Sequence, residues 1–157
     1  MIVVADTTPL NYLVLIGHID LLSALYQRVL IPEAVHNELQ KDKTPYEVRA
    51  WAAALPQWIE IHTVTPTHNA SLVDLDAGEQ QAIQLAMDLK VETVLMDESD
   101  GRRAAMMNRL KVTGTIAVLE RAANLELIDF RAAIHRLEQT NFRLSKSIRD
   151  EFLNRNP

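Results

Sequence analysis

Short apolar runs alternate along the chain with longer segments of helical periodicity. The β-branched run at residues 2–5 is typical of a strand buried on both faces of a parallel sheet. Comparable runs predict further strands at 29–31, 58–64, 93–96 and around Val112. The first predicted helix begins at Pro9, with Thr8 as its N-cap. Apolar residues at helical spacing predict further helices at 19–26, 33–40, 46–55, 76–90, 101–110, 116–124, 130–140 and 146–154. This alternation predicts an α/β protein, a three-layer α/β/α sandwich with a mostly parallel central sheet.

Two of the predicted strands end in an aspartate. Asp6 follows the run at 2–5, and Asp97 follows the run at 93–96. Ligands of open α/β sheets bind outside the carboxyl ends of the strands, where both aspartates are expected. Glu79 and Glu38 each lie on the apolar stripe of a predicted helix, which directs them toward the sheet. Four acids from four segments are therefore predicted to converge.

Converging carboxylates repel one another unless a cation neutralises them. The chain has no Cys, and its five His show no paired ligand spacing, so hard oxygen ligands remain. Such ligands favour Mg²⁺ or Mn²⁺. Asp100, three residues after Asp97, is predicted to join the site through a water.

The same acids also have structural interpretations. Asp76 and Glu79 have the spacing of a capping box, and Glu38 is placed to form an ion pair with Lys41. The two strand-terminal aspartates belong to a residue type that commonly begins helices. Taken one at a time, these positions leave open whether they bind metal or stabilise helix ends.

Charge is divided unevenly along the 157 residues, whose formal net charge is -5. Residues 1–100 carry a net charge of -10, and residues 101–157 carry +5. An acidic part beside a basic part fits a metal site next to a phosphate-attracting surface. Arg102 and Arg103, shortly after Asp97, are predicted phosphate contacts. The alternative is that the basic side chains only solvate the late helices.

Composition excludes several classes of function and suggests a single domain over residues 1–157. The absence of Cys excludes disulfides, a thiolate nucleophile and Cys-rich zinc modules, so a cytoplasmic protein is expected. No apolar run approaches the roughly 20 residues that cross a bilayer, and no basic segment precedes the first strand as in a signal peptide. No membrane association is expected. The four Gly are isolated, which excludes a P-loop.

Four segments, taken in order, resemble the PIN-domain family. They are VVADTTPL at 3–10, IPEAV at 31–35 with Glu38 and Leu39, DAGE at 76–79, and LMDE at 95–98. The resemblance covers nearly the whole chain and points to a prokaryotic PIN-like branch related to VapC-type toxin ribonucleases. By position, the residues matching the family's acidic quartet are Asp6, Glu38, Glu79 and Asp97, and those matching frequent helper positions are Asp100 and Thr115. Two departures are Glu79, where many members have Asp, and Glu98 directly after Asp97.

The resemblance implies a metal-dependent endoribonuclease that hydrolyses phosphodiester bonds of single-stranded or structured RNA. Asp6 and Asp97 are then expected to be direct ligands of Mg²⁺ or Mn²⁺, Glu79 a further ligand or a base, and Glu38 a water-mediated ligand. The expected substrate-binding residues are Thr8, Arg102, Arg103 and Thr115.

Three partners follow from the same resemblance and from the apolar residues near the end of the chain. They are an RNA substrate, a cognate antitoxin protein and a second copy of the chain. PIN-like toxins commonly dimerise, and the stripe formed by Leu144, Ile148 and Phe152 also predicts a homodimer.

Two other classes of function stay open. An aspartate that closes the first strand also occurs in haloacid-dehalogenase phosphatases, but these need a second Asp two residues later, where this chain has Thr8. The other class is a catalytically inactive PIN-like scaffold that binds RNA or protein. Only an activity measurement separates the scaffold from a nuclease.

Overall fold

A sheet of parallel strands forms the centre of the molecule. The structure is a computed structural model, which describes residues 1–66 and 68–157. The strands are β1 (Ile2–Ala5), β2 (Arg28–Pro32), β3 (Ile59–His62), β4 (Thr93–Leu95) and β5 (Lys111–Thr113). They lie in the order β3-β2-β1-β4-β5, and every neighbouring pair is parallel. The predicted parallel sheet is confirmed.

Helices connect the strands and close the chain. They are α1 (Thr7–Leu15), α2 (Leu21–Leu25), α3 (Glu33–Leu39), α4 (Tyr46–Ala53), α5 (Ala77–Asp88), α6 (Ser99–Met107), α7 (Thr115–Asn124), α8 (Phe130–Glu138) and α9 (Lys146–Arg155). One turn of 3₁₀ helix at Ala70–Leu72 precedes α5. No helix in the described part of the chain is long and apolar enough to cross a membrane.

The two faces of the sheet support separate hydrophobic clusters. In β1, Val3 and Ala5 pack into one cluster with residues of α1, α3, α4, α7 and α8. Val4 points to the opposite face, where it packs with residues of α5 and α6. Because successive strand residues alternate between faces, a strand buried on both sides needs a continuous apolar run. The predicted three-layer α/β/α sandwich is confirmed.

Helix α1 begins earlier than predicted. Asp6, in extended backbone with φ -85° and ψ 173°, occupies its N-cap position, and Thr7 is the first helical residue. The prediction that Thr8 caps the helix was wrong. Pro9 is tolerated in the third helical position because the amides of the first turn have no partner within the helix.

The strand order reverses at β1. β2 and β3 lie on one side of it, and β4 and β5 on the other. The Asp6 amide donates to the Leu95 carbonyl oxygen at 2.9 Å, so pairing between β1 and β4 continues to the carboxyl edge of the sheet. Asp6 and Asp97 follow these adjacent strands, at the point where doubly wound sheets bind ligands.

Candidate active site

Asp6 is a buried carboxylate surrounded by other acids. Its exposure is 3%. Burial and the negative charges of Asp76, Glu79 and Asp97 raise the pKa of Asp6 to about 7, while a hydrogen bond from the Thr7 amide lowers it. Among the described residues no ion pair involves Asp6. Its charge is therefore uncompensated by any lysine or arginine.

The start of α5 places two more acids beside Asp6. The Glu79 amide donates to Asp76 Oδ1 at 2.8 Å, and the Asp76 amide donates to Glu79 Oε1 at 3.3 Å. This reciprocal pair is the capping box that the spacing predicted. Glu79 is also 7% exposed, and burial followed by repulsion from Asp76 raises its pKa to about 7. Glu79 therefore takes part in the helix cap and is also buried toward the sheet, so the two interpretations of its position hold together.

Gly78 keeps a gap between Asp6 and Asp76. A Cβ at this position would lie 3.2 Å from Asp6 Oδ1, 3.5 Å from Asp76 Oδ1 and 3.5 Å from Thr7 Oγ1. Any side chain here would therefore crowd oxygen atoms from two segments. Spacing alone predicts only a capping role for Asp76, because its place beside Asp6 depends on how α5 packs against β1.

Two hydrogen bonds from the first residue of α7 hold the carboxylate of Asp97. The Thr115 amide donates to Asp97 Oδ1 at 2.8 Å, and the Thr115 hydroxyl donates to Oδ2 at 2.6 Å. Burial raises the pKa of Asp97, against the lowering effect of these hydrogen bonds and of Arg102. Thr115 itself is fully buried. Thr115 was predicted to contact substrate; in the structure its amide and its hydroxyl both donate to Asp97.

Glu38 contributes to the same cavity from α3. Its side chain is 38% exposed and forms an ion pair with Lys41 at 2.7 Å, as the structural interpretation of its spacing predicted. We define the acidic cavity as the space of about 540 Å³ whose polar lining residues are Asp6, Thr7, Thr8, Asn37, Glu38, Lys41, Asp76 and Glu98. Glu98, a departure from the family pattern, therefore lies in its wall.

Asp100 and Arg103 do not join these residues. Their side chains are 82% and 71% exposed, and they approach each other at 3.6 Å on the outer surface of α6. Neither lines the acidic cavity. Because α6 begins at Ser99, its first turn directs Asp100 to solvent. The structure thus provides no support for the expected roles of Asp100 as a metal ligand and Arg103 as a phosphate contact.

A second cavity adjoins the first. We define the aromatic cleft as the space of about 660 Å³ between α1, α7 and the last segment of the chain. Its side walls include Tyr12, Arg102, Asn141, Phe142 and Arg143. Only Arg102 was predicted from the sequence. Tyr12 and Phe142 gave no local signal, since they meet across a separation of 130 residues.

Comparison with known proteins identifies the family of this chain. The family model DUF3368, described as a PIN domain, matches residues 2–156. The chain belongs to the PIN-domain family. PIN domains are generally nucleases, so the chain has a nuclease-type fold. No curated protein and no solved structure shows significant similarity to this PIN domain.

PIN domains typically bind divalent metal ions, and the donor chemistry here fits such an ion in part. Asp6 and Asp76 present hard oxygen atoms on either side of the space at Gly78, without a cationic partner for Asp6. Across residues 1–66 and 68–157, however, no group of three acidic or His side chains is close enough to hold a metal. Glu79 and Asp97 accept hydrogen bonds within the protein, Glu79 from the Asp76 amide and Asp97 from Thr115.

Most basic side chains in the second part of this PIN domain have partners. Arg155 pairs with Glu120, and Arg149 pairs with Glu138 and Asp150. Arg136 donates to the Ile16 carbonyl, and other basic residues bind carbonyl oxygens, acids or a ring in the same way. These partners hold many of the basic side chains in place, although bonds to carbonyl oxygens and a ring leave their positive charge unneutralised. Of the two predicted phosphate contacts, Arg102 lies in the aromatic cleft, where its guanidinium donates to the Met96 carbonyl at 3.0 Å.

Proposed function

We propose that this PIN domain is a Mg²⁺- or Mn²⁺-dependent endoribonuclease that hydrolyses phosphodiester bonds of RNA. The observation that carries the proposal is the buried, uncompensated Asp6 at the reversal point of the sheet, with other acids around it. Retaining unpaired carboxylates in the interior costs stability, and a divalent cation would remove that cost. Structural capping requires no such convergence.

The acids have different proposed roles: Asp6, Glu38 and Asp76 line the acidic cavity, Asp97 lines the aromatic cleft beside it, and Glu79 lies buried behind Asp76. Asp6 and Asp97 are the proposed direct ligands, with Asp76 facing Asp6 across Gly78. A bound divalent cation polarises a phosphoryl oxygen and lowers the pKa of water. Glu79 serves as a further ligand or as a base, and Glu38 acts through water.

Substrate positioning falls to groups at the helix starts. Thr8 lines both the acidic cavity and the aromatic cleft, so it is placed to contact a phosphate between them. In the first turn of α1 the Thr7 amide is bonded to Asp6 and Pro9 has no N–H, so the Thr8 amide is the one placed to favour an anion. Arg102 adds positive charge on the side of Asp97. These groups orient the RNA backbone against the acids.

The proposed setting is the cytoplasm, with the PIN domain acting as the toxin of a toxin–antitoxin pair. The resemblance to VapC-type toxins supports this setting. An antitoxin that blocks either cavity would inhibit RNA cleavage.

A second candidate function is a catalytically inactive scaffold that binds RNA or protein. It is favoured by the missing group of three metal-binding side chains among the described residues. The bonds from Thr115 to both oxygens of Asp97 support it as well. In the scaffold, the acids would act only as caps and helix anchors.

The test is cleavage of end-labelled single-stranded and hairpin RNAs with Mg²⁺, Mn²⁺ or EDTA. We expect the wild-type protein to cut with metal only, and Asp6→Asn to lose at least about 100-fold in rate, since a charged ligand is removed. Asp20→Asn is the matched control, because Asp20 is exposed and precedes β2 at the amino edge of the sheet. Equal cleavage by wild type and Asp6→Asn would contradict the proposal. RNA that is bound but never cut would favour the scaffold.

A further inference from the structure

The aromatic cleft has the features of a nucleotide subsite. We propose that it binds an unstacked base of single-stranded RNA, with the adjoining phosphate on Arg143. This inference rests on the proposed function, since it specifies the substrate of the same site as single-stranded RNA. The occupant is argued from the rings, the position and the charge of the cleft.

The rings form a fixed surface. Tyr12 and Phe142 meet edge to face, with centroids 5.0 Å apart and planes at 83°. The Tyr12 hydroxyl donates to Asn141 Oδ1 at 2.7 Å, which ties the loop before α9 to α1. Both rings line the cleft while packing against the core. A base that stacks here therefore meets aromatic surface whose conformation is already restricted.

Position connects the aromatic cleft to the proposed reaction. Its volume of about 660 Å³ lies in the range of about 300–1,000 Å³ that is typical of small-molecule sites. Thr8 and Glu98 line both this cleft and the acidic cavity, so the two spaces share a wall. An RNA strand with one phosphate beside Asp6 would place a neighbouring nucleotide in the aromatic cleft.

Charge distinguishes Arg143 from the other basic residues nearby. Arg143 is exposed, lines the cleft and forms no ion pair within the described part of the chain. Burial and the carboxylates of Asp97 and Glu98 raise the pKa of the Tyr12 hydroxyl, and the positive charge of Arg143 opposes them. A cation beside aromatic rings is the combination by which proteins bind single-stranded nucleic acids.

The experiment measures binding of a fluorescein-labelled single-stranded RNA 12-mer by anisotropy in EDTA, where the proposed cleavage cannot occur. We expect Phe142→Leu to weaken binding about tenfold, because leucine keeps apolar packing but cannot stack on a base. Phe142→Tyr should retain wild-type affinity. A duplex of the same sequence should compete poorly, since its bases are already stacked. Thermal melting of each variant separates lost stacking from lost folding.

Arg143→Ala tests the phosphate contact. We expect it to reduce the slope of log affinity against log salt by about 0.7, the value for one contact to a single strand. Lys111→Ala removes the same charge at the amino end of β5, whereas the aromatic cleft lies beyond the carboxyl ends of the strands. This control should leave the salt dependence of RNA binding unchanged.

A parallel cleavage assay with Mn²⁺ separates this inference from the proposed function. If the wild type cuts RNA and folded Phe142→Leu binds and cuts like wild type, the subsite is wrong and the nuclease remains. If RNA binds in a Phe142-dependent way but is never cut, the subsite stands and the nuclease fails. If the wild type neither binds nor cuts RNA, both are wrong, and the aromatic cleft is left to a protein partner.

Discussion

Asp6 carries an electrostatic cost because of where it lies. Its side chain accepts from the Thr7 amide but from no later amide that a helix cap would bind, and it is buried among three other acids. Its pKa of about 7 in the folded protein compares with 3.8 for an unperturbed aspartate. Between these values the folded state holds a proton that the unfolded state has lost. Stability therefore falls as pH rises through this window.

Asp6→Asn should remove much of this pH dependence. In EDTA, we expect the wild-type melting temperature to fall between pH 5 and pH 8, and the variant to fall less and melt higher at pH 8. Each pKa unit corresponds to about 1.4 kcal/mol in the free energy of unfolding. Asparagine remains a good N-cap residue, so helix capping is kept. Calorimetric melting at several pH values checks this, and a variant that melts below wild type at pH 8 would contradict it.

Thr115 should tune Asp97 without touching the substrate. Thr115→Val removes the hydrogen bond to Asp97 Oδ2, and bonds of this kind contribute about 1.5–3 kcal/mol. The pKa of Asp97 should then rise, since the ionised form loses a hydrogen-bond donor. We expect the acidic limb of the pH profile for RNA cleavage to shift upward, and Thr115→Ser to restore it. An unshifted limb in folded Thr115→Val would show that Thr115 has no positioning role.

At the scale of the elements, the apolar pattern predicted most helices and strands. Each helix packs one apolar face on the sheet, and the central strands are buried on both faces. The boundaries were less certain, and one boundary affected the site. The start of α6 at Ser99 directs Asp100 and Arg103 outward, which no local pattern in this segment indicates.

The candidate site was predictable where it depends on strand ends. Asp6 and Asp97 follow β1 and β4, and parallel strands bring their carboxyl ends together. The aromatic cleft was not predictable, because Tyr12 and Phe142 are brought together only by packing of distant segments. Asp76 was assigned correctly as a cap, but its approach to Asp6 again depends on long-range packing.

Gly78→Ala tests the gap at the start of α5 while leaving every carboxylate in place. Alanine is favoured over glycine in helices by about 0.5–1 kcal/mol, which offsets the close contact with Asp6. We therefore expect the metal-free protein to melt near the wild-type temperature. Mn²⁺ affinity should fall at least about tenfold, because the added methyl group occupies the space between Asp6 and Asp76. Unchanged Mn²⁺ affinity, measured by calorimetry, would place any metal elsewhere.

At the scale of the whole molecule, the homodimer remains a proposal, but the residues expected to form its contact have changed. Leu144 and Phe152 pack against the core, and Ile148 lines the aromatic cleft. The exposed apolar residues Met106 and Met107, at the end of α6, now form the candidate contact.

Light scattering at micromolar concentration tests the dimer. We expect a mass near twice the 17.8 kDa of the chain. Met107→Lys should shift the mass toward the monomer, because a buried charge disfavours an apolar contact. A monomeric wild type over the whole concentration range would rule out the dimer.

Folding distributes the acidic and basic residues differently from their order along the chain. Arg149 and Arg155 pair with acids of the second part, whereas the acids that surround Asp6 all belong to the first 100 residues. The molecule thus retains a local excess of negative charge at the acidic cavity. This excess of negative charge favours binding of a divalent cation.

Calorimetric titration of Mn²⁺ into the metal-free protein measures that preference directly. We expect the wild type and the control Asp20→Asn to bind Mn²⁺ with the same affinity. Asp6→Asn and Asp97→Asn should each bind at least about tenfold more weakly, because each loses a ligand and its negative charge. Equal Mn²⁺ affinity in all four proteins, or no binding by the wild type, would contradict a metal site at the carboxyl edge of the sheet.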